Sequence, residues 1–275
     1  MKVTRSCYYS YLKTKAERAE AGQSEQSRRV KQCFEFHRLY GSRRIAAQLK
    51  MGRFLVRRLM REQQLEAIQP KSFVPRTTDS RHGGRISPNL LKKIGEIKEK
   101  GRVIVGDITY LPLQNGKFCY LAAFQDKYTR RIVGWAVMTQ MTAELVVSAL
   151  LMALRRGLIG RNAVIHTDRG SQYVSNLYRE LLHRHGLRQS MSGRGNCYDN
   201  AQAESFFARF KTELVEDGVF ESIEQAITET FSYIEGYYNR VRLHSGLGCK
   251  SPMEFEKGLK IKEKRSSVSF VSCST

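Results

Sequence analysis

The stretch Val103-Ile104-Val105-Gly106-Asp107-Ile108-Thr109-Tyr110 decides the fold. Its β-branched residues predict a buried strand. Asp107 stands inside it, where an ionised carboxylate is costly unless something compensates its charge. Downstream, Phe118 to Phe124 and Arg131 to Met138 read as two more strands. The links Gln114-Asn115-Gly116 and Lys127-Tyr128-Thr129 have hairpin-turn composition. The periodicity then changes to an apolar-rich helix from Thr142 to Arg156, closed by Gly157. Ala163-Val164-Ile165-His166 is a short buried strand, Ser175 to His185 a helix and Leu187 to Met191 another strand. Helical spacing returns from Asp199 to about Glu216 and from Ser222 to Tyr238. Three antiparallel strands followed by alternating helices and strands predict a mixed α/β domain.

Upstream the character differs. Residues 1–85 carry 20 Lys and Arg against 7 Asp and Glu, much the more basic part of a chain whose net charge is +21. Such an excess points to a polyanion partner, most often nucleic acid. Three helices are expected before residue 65. One runs from Glu25 to Tyr40 and is broken by Gly41. A second is capped by Ser42 and carries Ile45, Ala46 and Leu49. After a turn at Met51-Gly52, a third runs from Phe54 to Gln64. The third has Arg53, Arg57, Arg58 and Arg61 opposite Leu55, Val56, Leu59 and Met60, a helix-turn-helix pattern with a basic second helix.

The expected organisation is a helical DNA-binding region over 1–69, a Pro- and Gly-rich linker over 70–89, an α/β core over 90–258 and a loose tail over 259–275. Six cysteines without a C-x-x-C pair argue against a cysteine zinc site or a disulfide scaffold. No apolar run suits a membrane span or a secretory signal, so a cytoplasmic, nucleoid-associated protein is expected.

Three acids occupy awkward positions. Asp107 lies within an apolar strand, Asp168 directly follows a short buried one, and Glu204 shares a helix with Phe206, Phe207 and Phe210. Each alone could be a turn cap or a wet helix residue. In an RNase H-like chain order, however, the first and fourth strands run side by side, and the helix bearing Glu204 can pack across that edge. Three converging carboxylates select a hard divalent ion, Mg²⁺ or Mn²⁺. Two such ions about 3.5–4 Å apart serve phosphodiester displacement. Asn200, Glu204 and Lys211 share one helical stripe, and Lys211 with Arg209 could hold DNA phosphate. His166, Asp126 and Trp135 read better as packing or turn residues than as ligands, whereas Arg242 and His244 could either contact DNA or cap a helix.

Asp168 and Glu204 are separated by 35 residues, and their surroundings are specific: Gly106-Asp107-Ile108-Thr109-Tyr110-Leu111, Arg131-Ile132-Val133-Gly134-Trp135, His166-Thr167-Asp168-Arg169-Gly170-Ser171-Gln172-Tyr173, the run Ser190 to Ala201 with Glu204-Ser205-Phe206-Phe207, and Tyr238-Asn239-x-x-Arg242-x-His244-Ser245. Together they resemble the bacterial insertion-sequence transposases of the OrfB, integrase-like group. The family usually carries a Trp shortly before the first Asp, where this chain has Val103-Ile104-Val105. The resemblance implies an RNase H-like core preceded by a helix-turn-helix domain, two Mg²⁺ or Mn²⁺ ions held by Asp107, Asp168 and Glu204, and cleavage and joining of double-stranded DNA at element ends. It implies DNA contacts from Arg43, Arg44, Arg57, Arg58 and Arg61, and from Arg194 and Asn200 around the Ser192-Gly193-Arg194-Gly195 loop. A homodimer or larger assembly is implied, with an upstream OrfA-type protein as a frameshift-fusion partner. A nuclease that only hydrolyses, or a silent DNA-binding remnant, are the alternative expectations.

Overall fold

The computed structural model describes residues 5–68, 85–193, 201–214 and 219–271. The chain divides into two compact units, Met1–Gln69 and Pro70–Thr275.

In the first unit, α1 (Arg5–Phe36) begins well before the expected start at Glu25. It is followed by α2 (Ser42–Leu49) and α3 (Arg53–Glu62). Val30, Tyr40, Ile45, Val56 and Leu59 form its fully buried centre. His37 stacks on Tyr40 with ring centroids 4.2 Å apart and fixes the corner between α1 and α2. Gly41, not Ser42, is the N-cap of α2, and no side chain caps that end. Ser42 is already helical, so its hydroxyl cannot play the capping part. The left-handed residue of the turn is Lys50, at φ 52°, whereas Gly52 has an ordinary negative φ. The N–H of Met51 returns to the Ala46 carbonyl at 3.0 Å, the type of bond that closes a helix C-terminus.

The second unit is built on a sheet of β1 (Val103–Pro112), β2 (Phe118–Asp126), β3 (Ile132–Met138), β4 (Val164–Thr167) and β5 (Arg188–Met191). The spatial order is β3-β2-β1-β4-β5, with β1, β2 and β3 antiparallel and β1, β4 and β5 parallel. The intervening helices are α4 (Ala143–Arg155), the short α5 (Ser171–Val174) and α6 (Asn176–Arg184), followed after β5 by α7 (Ala201–Leu214), α8 (Ile223–Phe231) and α9 (Pro252–Val271). One sheet face, with Ile104, Phe124 and Ile165, buries α4 to α6 through Leu145, Ala149, Tyr173 and Tyr178. The other, with Leu111, Leu121 and Trp135, buries α7, α8 and the segment after it through Phe206, Phe210, Tyr233 and Tyr238. This is the mixed α/β architecture expected of an RNase H-like core.

Two local features depart from expectation. The single helix expected over Ser222 to Tyr238 is α8 followed by a π-helical segment, Ser232–Tyr238. The wider turn lets Glu235 accept from Trp135 Nε1 at 3.0 Å and from Arg156 at 2.7 Å while Tyr233, Ile234 and Tyr238 point inward. The stretch from Lys264, expected as a loose tail, continues α9 to Val271. The linker composition falls mainly on residues 69–84, outside the described residues.

Both sheet edges carry side-chain bonds. On β3, Asn239 accepts from the Ile132 N–H at 2.9 Å and donates to its carbonyl at 3.1 Å. On β5, Ser87 donates to Gln189 at 2.8 Å and the Leu90 N–H donates to Ser190 Oγ at 2.9 Å.

Candidate active site

Asp107 lies in the middle of β1, and Asp168 follows the last residue of β4. The parallel register sets Val105 against His166, so two residues further along each chain the two acids fall side by side. Strand alternation gives Asp107 the same face as Leu111, the face covered by α7. Asp107 is half-buried and accepts from the N–H of Ile108 at 2.9 Å. Burial pushes its carboxyl well above the usual range, the Asp168 charge pushes it further, and Glu204 adds a smaller push. Asp168 accepts from the Gly170 N–H at 3.0 Å, which turns the chain into α5. Next to it, Arg169 donates to the Ser192 carbonyl at 2.8 Å and ties the ends of β4 and β5 together.

Glu204 projects from the first turn of α7 on its exposed side, and partial burial raises its carboxyl pKa. The helix is anchored at both ends. Gln202 reaches the carbonyls of Asp126 and Lys127 at 3.3 Å each. Near the other end Glu213 takes Arg242 in a fork, Nε and Nη2 donating at 2.9 and 2.7 Å, and accepts the Tyr233 hydroxyl at 2.8 Å. Phe206, Phe207 and Phe210 fill the space between α7 and the sheet. Among the described residues no group of three or more His, Cys, Asp and Glu side chains stands close enough to hold a metal ion. The structure thus brings Asp107 and Asp168 together and places Glu204 within electrostatic reach of Asp107, short of a closed cluster.

The remaining expectations divide clearly. His166 is fully buried and bonds Ser190 Oγ at 2.8 Å, a packed strand residue. Asp126 is buried and accepts from the N–H groups of Gly101, Tyr128 and Thr129, closing the β2–β3 turn. Trp135 is core. Arg242 is 1% exposed, so its guanidinium serves the Glu213 pair and not DNA. Burial works against that charge, but Glu213 more than offsets it and holds the pKa above its ordinary value. Sequence reading missed Glu213, although an acid beside Phe210 and Leu214 on an amphipathic helix was a visible signal. It also missed Tyr173, whose buried hydroxyl has no hydrogen-bond partner among the described residues and whose pKa is raised by burial and then by the Asp168 and Asp107 charges.

Of the basic residues, Arg43, Arg57, Arg58 and Arg61 are exposed on α2 and α3. Arg44 is half-buried, with its guanidinium 5.5 Å from the Tyr40 ring centre. Lys211 lies 3.9 Å above the Tyr110 ring, so its ammonium already has an aromatic resting place. Arg209 is half-buried on α7, and Arg194 and Asn200 lie outside the described residues.

A sheet of this order, with two acids at adjacent parallel strands and an acid-bearing helix across them, defines an integrase-type catalytic core. The comparisons agree. Residues 98–197 and 185–252 match models of the integrase core domain, and residues 23–73 match an HTH-like domain. The chain is 43% identical over 65% of its length to the transposase for insertion sequence element IS904 of Lactococcus lactis subsp. lactis, covering 70% of that protein. It is 37% identical over 93% of its length to the 31 kDa protein of insertion element IS600 of Shigella sonnei, covering 95% of it. It also aligns with the HTLV-2 integrase catalytic core domain solved in complex with magnesium, at 15% identity and TM-score 0.44, over 57% of this chain and 96% of that one. The chain belongs to the insertion-sequence transposases with an integrase core.

Proposed function

We propose that Asp107, Asp168 and Glu204 act together as the catalytic acids of a DDE recombinase that cleaves and joins DNA strands at element ends. The observation that carries this is the juxtaposition of Asp107 and Asp168. Two carboxylates on adjacent parallel strands, one of them half-buried, raise each other's electrostatic cost, and a divalent cation relieves it. An all-oxygen donor set fits Mg²⁺ or Mn²⁺ and no softer metal. Bound there, two such ions would supply an activated attacking oxygen and a stabilised leaving oxygen.

The chain's own residues do the positioning. The backbone of β1 and β4 fixes the first two acids, and α7, held by Gln202 and Glu213, supplies Glu204 from across the sheet. Arg169 steadies the start of the loop that leads to α7 through its bond to Ser192. Exposed arginines of α2 and α3 supply charge for double-stranded DNA, the second of two helices across a short turn being the element that enters a groove. Work on two element ends calls for at least a dimer, and an upstream OrfA-type fusion partner belongs to the same reading.

The test is strand transfer of a pre-cleaved element end into supercoiled target with Mg²⁺ or Mn²⁺. Joined products from the wild type and none from Glu204→Gln support the recombinase. Hydrolysis without joining would establish a nuclease instead, and DNA binding with no metal-dependent product, even from the fused form, would leave only a DNA-binding role.

A further inference from the structure

We propose that the side-chain oxygen of Gln172 is a further positioning group at the cation site, accepting a hydrogen bond from a water carried by the ion at Asp168. The inference rests on the recombinase reading and adds to it an uncharged oxygen beside the acids.

Gln172 lies on α5, four residues after Asp168, and is 9% exposed. Its Nε2 donates to the Met141 carbonyl at 2.9 Å. A carbonyl partner requires a donor, so this bond decides which end of the amide is nitrogen and turns Oε1 the other way. Met141 lies in the loop between β3 and α4. β1 and β3 both run antiparallel to β2, and β4 runs parallel to β1. The loop after β3 and the acid after β4 therefore stand at the same end of the sheet.

Gly170 shows where Oε1 points. Its φ of −61° and ψ of 147° suit any residue, so the backbone does not call for glycine there. The space does. A Cβ at this position would stand 2.8 Å from Gln172 Oε1, 3.2 Å from Asp168 Oδ1 and 3.6 Å from Tyr173 Cδ2. An amide oxygen and a carboxylate oxygen thus border one small gap, with an aromatic carbon as the third neighbour. The two oxygens are acceptors, and the ring carbon offers neither a proton of consequence nor a charge. Asp168 Oδ1 accepts from the Gly170 N–H at 3.0 Å, whereas no described residue donates to Gln172 Oε1.

An amide oxygen nine-tenths buried without a donor is costly to keep. Both oxygens call for the same kind of partner, a cation or a water polarised by one. Mg²⁺ keeps several waters when carboxylates bind it, and groups that hydrogen-bond this shell tune the affinity of the site. Gln172, already held by Met141, is oriented to receive one of those waters.

The experiment measures Mn²⁺ affinity of the full chain from the paramagnetic resonance of the free ion, with and without an element-end duplex. It compares wild type, Gln172→Met, Gln172→Glu and Asp168→Asn, each shown to be folded by its melting temperature in chelator. Neither Met nor Glu can donate to the Met141 carbonyl, but Glu keeps an oxygen at the reach of the amide. Gln172→Met is expected to bind Mn²⁺ about tenfold or more weakly. Gln172→Glu is expected to bind it at least as tightly as wild type. Weakening in Gln172→Glu as large as in Gln172→Met would reduce the residue to a brace for the Met141 loop and overturn the cation role. Unchanged affinity in both variants would overturn it as well. Either result, with wild type taking up Mn²⁺ and Asp168→Asn failing to, leaves the recombinase reading intact. Wild type that takes up no Mn²⁺, with duplex or without, would overturn both.

Discussion

Asp107 carries a liability that the proposed metal chemistry would justify. Its carboxyl titrates above the ordinary value because it is buried and faces Asp168. Between the unfolded value, about 3.9, and the raised folded one, the folded protein holds the extra proton. Stability therefore falls as pH rises through that window. Above it Asp107 is charged and the cost is fully present. Asp107→Asn, melted in chelator at neutral pH, is expected to exceed wild type by about 2–4 °C, the shift that ~1 kcal/mol gives at this size. Added Mg²⁺ or Mn²⁺ should raise the wild-type melting temperature and leave the variant unmoved. A variant that melts lower than wild type in chelator would show that the carboxylate is stabilising as it stands. The acids were legible in the sequence because each broke a local apolar pattern. The gap between Glu204 and the other two was not, since helix periodicity gives a face and no distance.

At the scale of elements, α7 depends on an ion pair far from the acid it presents. Arg242 and Glu213 are 1% and 4% exposed at their side chains, and their fork is backed by Tyr233. Breaking such a pair from one side leaves a bare buried charge, at a cost of about 3–5 kcal/mol. Arg242→Met should lose that much in urea denaturation, and Arg242→Met with Glu213→Met should recover most of it. Equal losses in the single and double variants would mean that the pair contributes by packing alone. The strands were readable from β-branched runs and turn residues, and their observed ends moved by a residue or two. The π-helical segment could not be read, because its inward Tyr233, Ile234 and Tyr238 keep ordinary helical spacing and only the Trp135 and Arg156 bonds to Glu235 reveal the wider turn. The motif from Tyr238 to His244 was visible as a pattern, but its work was not. Asn239 braces β3, Arg242 braces α7 and Tyr238 joins β2 to both. Those partners lie 29 to 113 residues away in sequence, beyond any local signal.

At the scale of the molecule, positive charge is spread over both units, whereas the three candidate acids Asp107, Asp168 and Glu204 all lie in the second. The α3 arginines belong to a unit with its own core, so changing them should leave the catalytic unit untouched. Arg57, Arg58 and Arg61 all replaced by Gln should cut the salt slope of DNA binding by up to about 2.7, at ~0.9 per contact. Such a protein should melt as wild type does. A full slope in that variant would place the contacts of this unit elsewhere. The expected boundary region rested on the charge contrast and on the prolines after residue 69, both properties of composition that need no three-dimensional knowledge.

Among the described residues, both edges of the sheet have some of their polar groups engaged by side chains. At one side Asn239 imitates a neighbouring strand for Ile132, and at the other Ser87 and Leu90 lie along β5 through side-chain bonds. An open strand edge recruits strands from other molecules and so promotes aggregation. On the proposed reading, a protein that gathers several copies of itself on one DNA would have reason to let charge and dedicated surfaces choose its neighbours. Losing the Asn239 amide would then show first as insolubility at working concentration, before any loss of chemistry.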